Sequence, residues 1–383
     1  MIRTKISAYF FCVFFGLGAL YPLLGIYLEE IQLTGSQMGI LMSVGPIVAI
    51  FSQPFWGMLS DRYQNPKLFL ILTTFFAGVV VLGFLMVKQY FLLIFVMALL
   101  SWFQSAITPL SDSITIGYVK KNGGEYGALR SWGAIGFAVA VWVAGMVIEV
   151  TFIEIIFYLF AFSFLISTCF AFQMPKEAET LQVDLKAGMS KLFRIPEFNL
   201  LMMSSFLILG SIFANNFYFG IYYTSEAIGG TVAGVGLVFL FAAGSEAPFM
   251  KLTGFFVRRF GLHQILIIAS IFSAARWLFF YTEPSTTWIF LVSILQGISI
   301  GLYIPAAVEL VRALSPEEVK VTGMSVYSTV ANGIGSMFCT YVGGVIFEYY
   351  SIAHTYLFFG LATLLGTVIL VRLLFVHRLK KVP

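Results

Sequence analysis

Residues 38–67 read MGILMSVGPIVAIFSQPFWGMLSDRYQNPK. The stretch from Met38 to Ser60 carries no charge, and as a helix rising about 1.5 Å per residue it crosses a hydrocarbon layer of about 30 Å. Asp61, Arg62 and Lys67 then end the run abruptly. An uncharged run of this length, closed by a polar cluster, predicts a helix that spans a bilayer.

The rest of the chain repeats that pattern. Of 383 residues, 60% are hydrophobic and 10% charged, with a mean hydropathy of +0.94. A soluble domain is about 25% charged, so a cytosolic enzyme is excluded. Disorder is excluded too, because 42 Phe, 18 Tyr and 6 Trp are far more apolar surface than a solvated chain carries. The apolar runs are too long for the alternating ~10-residue strands of an outer-membrane barrel. The expected fold class is an all-α polytopic membrane protein. Its twelve spans are expected near 6–28, 38–60, 67–87, 89–118, 126–149, 152–173, 198–224, 229–257, 262–282, 286–313, 321–347 and 351–376. The first run lacks a small-x-small cleavage site and is read as an uncleaved helix rather than a signal peptide.

Basic residues set the orientation. Arg3 and Lys5, Arg62 and Lys67, Lys120 and Lys121, Arg258 and Arg259, and Arg378 and Lys380 fall at the termini or in even-numbered loops. Odd-numbered loops hold Lys88 and otherwise acidic residues such as Glu29, Glu30, Glu149 and Glu348. Cytoplasmic loops carry the Lys/Arg excess, so both termini are expected in the cytoplasm of a cell (plasma) membrane protein. Cys12, Cys169 and Cys339 sit singly in apolar runs, against a disulfide framework or a zinc site. His263, His354 and His377 lie near span ends and are read as interfacial.

The longest hydrophilic stretch, 174–197, is expected to be a cytoplasmic linker. Pro175 and Pro196 bracket a segment that could form a short amphipathic helix. It divides the chain into six-helix halves, 1–173 and 198–383. The halves look duplicated: Gly57-Met-Leu-Ser-Asp61-Arg62 follows span two, and Gly254-Phe-Phe-Val-Arg258-Arg259 follows span eight. Gly145-Met-Val-Ile-Glu149 and Gly344-Val-Ile-Phe-Glu348 close spans five and eleven. Parallel repeats of this kind build transporters whose halves rock about a central site.

Gly57-x-x-x-Asp61-Arg62 resembles the signature loop of the major facilitator superfamily, with Asn65-Pro66-Lys67 replacing its usual Gly-Arg-Arg end. The resemblance implies the major facilitator fold and a gating role for Gly57, Asp61 and Arg62, with Asp61 biasing closure on the cytoplasmic side. Pro109-Leu-Ser-Asp112 and Tyr126-Gly127-Ala-Leu-Arg130-Ser-Trp132-Gly133 are similar to the lactose-permease and phenylpropionate-permease branch, and to nucleoside:proton symporters. There, an acid and an arginine eighteen residues later bind the sugar. Asp112 and Arg130 reproduce that spacing, and Phe137 stands where lactose permease has its stacking tryptophan. Tyr21-Pro22, Gln53-Pro54 and Asn215-Asn216-Phe-Tyr218 extend the likeness. The histidine and glutamate that couple protons in lactose permease's tenth span have no counterpart; that region reads Leu295-Gln296-Gly297-Ile-Ser299.

Charges inside spans cost about 2.5–3.5 kcal/mol or more and are functional candidates by default. Asp112 and Arg130 fall at similar depth on consecutive helices, where an ion pair is natural. It could grip solute or simply bridge helices. Glu246 lies near the middle of span eight, where loss of solvation disfavours the charged form and allows proton exchange. It is the expected proton-coupling carboxyl, with Asp112 assisting. Lys251, about 140° further around that helix, is read as snorkelling to the cytoplasm. Arg276 in span nine needs a partner from another helix, and Glu246 is the candidate. Glu309 and Arg312 have the spacing of a local pair. Asn215, Asn216 and Tyr218 are candidate solute-lining groups in span seven.

The leading expectation is a proton-coupled symporter of a small organic solute (sugar, nucleoside or aromatic acid), acting by alternating access. The alternative is a proton-driven efflux antiporter of the same superfamily; span five lacks the Gly-Pro signature of drug antiporters. No HExxH, GxSxG or GxxxxGK[ST] motif points to an enzyme or an ATP-driven pump. No cofactor, metal or nucleic-acid partner is expected, only solute, proton and bilayer, and the chain is expected to act as a monomer.

Overall fold

The computed structural model describes residues 2–175 and 190–379. The proposed amphipathic helix of the linker falls mostly outside those residues. Among the described residues every regular element is helical. Eleven helices are long and apolar enough to cross a membrane. They are α1 (Ile2–Glu30), α2 (Gly35–Tyr63), α3 (Pro66–Met86), α4 (Tyr90–Asn122), α5 (Tyr126–Val150), α7 (Pro196–Thr224), α8 (Val232–Phe260), α9 (Leu262–Tyr281), α10 (Thr286–Leu314), α11 (Thr322–Tyr349) and α12 (Ile352–Leu379). The twelfth, α6 (Ile155–Ala171), has 17 residues, about 25 Å of helix and still within the range of a span. All twelve expected spans are present. Large apolar side chains point outward along them, such as Phe91 at 81% and Phe162 at 65% exposure, a distribution that suits lipid rather than water.

The helix ends follow from local chemistry. Thr34 and Gln37 form a reciprocal capping box at the start of α2, satisfying donors that the first turn leaves unpaired. Gln64 takes a left-handed conformation (φ 47°) to end α2. Asn65 then accepts from the Leu68 N–H at 3.3 Å, with Pro66 at the first helical position of α3. The departure from the signature loop therefore has a local purpose: Asn65-Pro66 is a helix start.

The chain forms two compact units. The first takes the spans before the linker together with Phe217–Thr224 and Gly230–Leu240; the second takes the rest of the chain. In the first, α1 packs on α5 and α6, α2 on α4, and α3 on α4 and α6. In the second, α9 packs on α12 and α10.

Small residues draw backbones together in both units. A Cβ on Gly136 of α5 would strike the Phe11 carbonyl of α1, and one on Gly18 of α1 would strike the Phe137 carbonyl of α5. In the second unit a Cβ on Gly335 of α11 would come within 2.5 Å of the Phe206 carbonyl of α7, and one on Gly210 within 2.6 Å of the Gly335 carbonyl. The same reciprocal glycine contact thus joins helices one and five of each half, as small-residue packing does in lipid. In α11 a seven-residue π-helical segment, Thr329–Gly335, lies at this crossing.

Buried polar groups lace neighbouring helices. Tyr9 and Thr74 hydroxyls meet at 2.9 Å, Ser52 and Ser105 at 2.6 Å, and the Trp56 indole donates to the Trp102 carbonyl at 2.8 Å. Among the described residues the three cysteines form no disulfide. His263, read from the sequence as interfacial, starts α9 but is only 8% exposed, its ring stacked on that of His377 at 4.4 Å.

Candidate functional site

The structure brings the charged candidates together as two separate clusters, one in each unit. In the first unit, α4 carries Asp112 and α5 carries Arg130. Helix α4 runs to Asn122, one turn past the expected end of its span, yet the two groups still meet. Arg130 Nε lies 3.4 Å from Asp112 Oδ1, with the side chains 27% and 26% exposed. The contact is an ion pair held by opposite charge across consecutive helices. The Tyr126 hydroxyl is a further hydrogen-bond partner of the carboxylate.

Two phenylalanines complete this cluster. The guanidinium carbon lies 4.2 Å from the Phe14 ring centroid and 5.2 Å from that of Phe10. Phe10 and Phe14 are one helical turn apart on α1, so both rings reach Arg130 from one face. A guanidinium over aromatic faces gains cation–π attraction while keeping its N–H groups available in the ring plane. Gly133 leaves room for it: a Cβ there would come within 3.0 Å of Arg130 Nη1. Sequence reasoning missed Phe10 and Phe14. Their i, i+4 spacing was the available signal, masked by the abundance of aromatic residues. Phe137 packs edge-on against Phe239 (centroids 6.5 Å, 70°), also in this unit.

In the second unit, Glu246 lies midway along α8 and Arg276 is buried in α9 at 3% exposure. The two do not bond directly. Arg276 Nη1 donates to Gln296 Oε1 at 2.6 Å, and Gln296 Nε2 donates to Glu246 Oε1 at 2.7 Å. Glu246 was expected as the partner of Arg276 from another helix; the two interact electrostatically, with an amide from α10 bonded between them. The guanidinium also lies over the Trp277 ring at 4.2 Å, and its Nε and Nη2 have no hydrogen-bond partner among the described residues.

Local structure in α10 places the amide. Ile294, Leu295, Gly297 and Ile298 donate to carbonyls three residues back, a tightened turn of the kind that marks hinges inside helices. Gln296 emerges there. Just beyond it, Gly297 and Gly301 bring α10 against α8, where a Cβ would strike the Ser245 carbonyl or come within 2.9 Å of the Glu246 carbonyl. Thr253 secures the contact by donating to Gly301 O at 3.2 Å. In the sequence, Gln296 stood out only as a departure from the lactose-permease pattern. Its signal was an amide in an otherwise apolar span.

Of the other candidates, Asn215 reaches the second cluster through Tyr356, which interacts with Arg276. Asn215 is buried and accepts from the Tyr356 hydroxyl at 2.9 Å, while Asn216 is half-buried and Tyr218 fully buried. Gly57, Asp61 and Arg62 end α2, with Asp61 and Arg62 exposed.

Comparison with known proteins agrees with this architecture. The MFS_1 like family matches residues 3–358. The maltose permease of Geobacillus stearothermophilus is 40% identical over 373 residues, covering 97% of this chain and 94% of that one. The probable 3-phenylpropionic acid transporter of Escherichia coli is 23% identical, covering 89% and 90%, and the xanthosine permease of Escherichia coli 21%, covering 92% and 89%. The crystal structure of the nucleoside transporter NupG superposes with a TM-score of 0.87 at 17% identity, covering 97% of this chain and 99% of that one. Twelve membrane helices, a duplicated glycine crossing and a match over nearly the whole length make this chain a member of the MFS_1 like family, a multi-pass membrane transporter of small solutes built on the major facilitator fold.

Proposed function

We propose that the protein is a proton-coupled symporter of a small hydroxylated solute, a maltose-type disaccharide before a nucleoside or an aromatic acid. The observation that carries this reading is the Arg276–Gln296–Glu246 relay, a half-buried carboxyl at the middle of a span and hydrogen-bonded to a cation only through an amide. A carboxyl so placed can give up its charge without stranding a directly bonded guanidinium. The 40% identity to a maltose permease supports a sugar as cargo.

In this reading Asp112, Arg130 and Phe137 bind solute, with Asn215, Asn216 and Tyr218 lining its path. The fork of Arg130, steadied on Phe10 and Phe14, suits vicinal hydroxyls or a carboxylate. Glu246 exchanges the proton, assisted by Arg276 and Asp112, and Gly57, Asp61 and Arg62 act in gating. The halves 1–173 and 198–383 alternate access to the solute. The termini lie in the cytoplasm, and the plasma membrane is the site of action.

Proteoliposomes loaded with a pH-sensitive dye test the reading, challenged in turn with maltose, xanthosine and 3-phenylpropionate. Solute-driven acidification of the lumen, lost in Glu246→Gln, is expected. Uptake unchanged by collapsing the proton gradient would sink symport, and alkalinisation on adding solute would indicate antiport.

A further inference from the structure

We infer that Gln296 is a positioning residue: its amide, oriented by Arg276, holds one oxygen of Glu246 and leaves the other to carry the exchangeable proton. The inference rests on Glu246 being the proton-exchanging group of the reading above. A guanidinium has only N–H donors, so the group facing Arg276 Nη1 at 2.6 Å must be the amide oxygen of Gln296. The amide nitrogen therefore faces Glu246, 2.7 Å from Oε1. Flipping the amide would set donor against donor at Arg276, so the orientation is locked.

That lock has a consequence at the carboxyl. Oε1 accepts the amide N–H whether Glu246 is charged or neutral, because a protonated carboxyl keeps one oxygen with lone pairs only. The proton goes to Oε2, where its O–H is free to donate. The close approach of α8 and α10 at Gly297 and Gly301 keeps the amide within reach. Among the described residues, Arg276 of α9 is the charged group facing Glu246, Tyr356 of α12 interacts with Arg276, and α10 presents the uncharged Gln296. The amide is thus the carboxylate's hydrogen-bonded tie to that cation.

Two variants of the full-length protein test this. Gln296→Glu keeps an acceptor for Arg276 but denies Glu246 its donor and sets a second carboxylate beside it. Glu246→Asp shortens the chain by one methylene and breaks the same bond from the other side. The readout is an infrared pH titration of the carboxyl band of residue 246, assigned by its loss when Glu246→Gln is introduced. The midpoint is expected to move to higher pH by about one unit in both variants, although a free Asp is more acidic than a free Glu. Midpoints coinciding with wild type in whichever variants fold would overturn the inference. A shifted infrared midpoint in a protein whose wild type moves no protons with maltose, xanthosine or 3-phenylpropionate would sink the symport reading and leave the role of Gln296 standing.

Discussion

The two units hold their intramembrane charges in different ways. In the first, Arg130 meets Asp112 directly at 3.4 Å, both about a quarter exposed. In the second, a fully buried Arg276 reaches Glu246 only through the amide of Gln296. A direct pair holds both partners charged, because neutralising one leaves the other uncompensated. A relayed pair loosens that constraint. In the function proposed above, the first cluster grips the solute and the second exchanges the proton, and the difference in pairing is what suits each to its part.

The largest expected effect breaks the direct cluster. Arg130→Ala should reduce maltose uptake by about a hundredfold or more, the scale on which loss of an anchoring charge acts. Arg130→Lys should recover little of it, because an ammonium cannot reproduce the planar fork over Phe10 and Phe14. Radiolabelled uptake normalised to protein in the membrane decides this; near-normal uptake by the lysine variant would reduce Arg130 to a point charge.

The second expectation separates the clusters by function. Glu246→Gln should abolish accumulation against a gradient while leaving solute counterflow within about threefold of wild type. Counterflow and accumulation failing together would place Glu246 among the solute-binding groups and erase the division of labour.

A smaller effect probes the shared architecture. Gly136→Val and Gly335→Val should each destabilise their unit by about 1–3 kcal/mol, since a branched side chain must displace a backbone carbonyl at a helix crossing. Thermal unfolding in detergent measures this. Unequal penalties would show that the π-helical segment of α11 makes the second crossing softer than the first. The smallest expected effect is at Asn65→Ala, which removes the cap of α3 at a cost of about 1 kcal/mol, or about 2–4 °C in melting temperature for a unit of this size. Transport should be unchanged, marking Asn65 as a structural departure from the signature loop.

Much of this was legible in the chain. Hydrocarbon thickness imposes a length on every span, so twelve helices could be read from apolar runs ended by clusters such as Asp61-Arg62. The paired Gly57/Gly254 and Gly145/Gly344 motifs pointed to a repeat. Asp112 and Arg130 could be paired because a charge in an apolar span demands a partner and their depths agreed. Arg276 was recognised as needing a partner for the same reason, and Glu246 was named as the candidate, but the bridging Gln296 was not foreseen. An amide carries no charge and announces no partner. Phe10 and Phe14 were hidden among dozens of aromatic residues that a lipid environment makes ordinary.

The sequence by itself determined the number of spans and the family resemblance, because these rest on local hydropathy and short-range spacing. Only the tertiary structure decided which polar groups touch. That depended on where glycines let backbones close: Gly133 makes room beside Arg130, while Gly297 and Gly301 carry Gln296 to Glu246. Contact across helices turns on fractions of an ångström in packing, and no periodicity along a single helix encodes it.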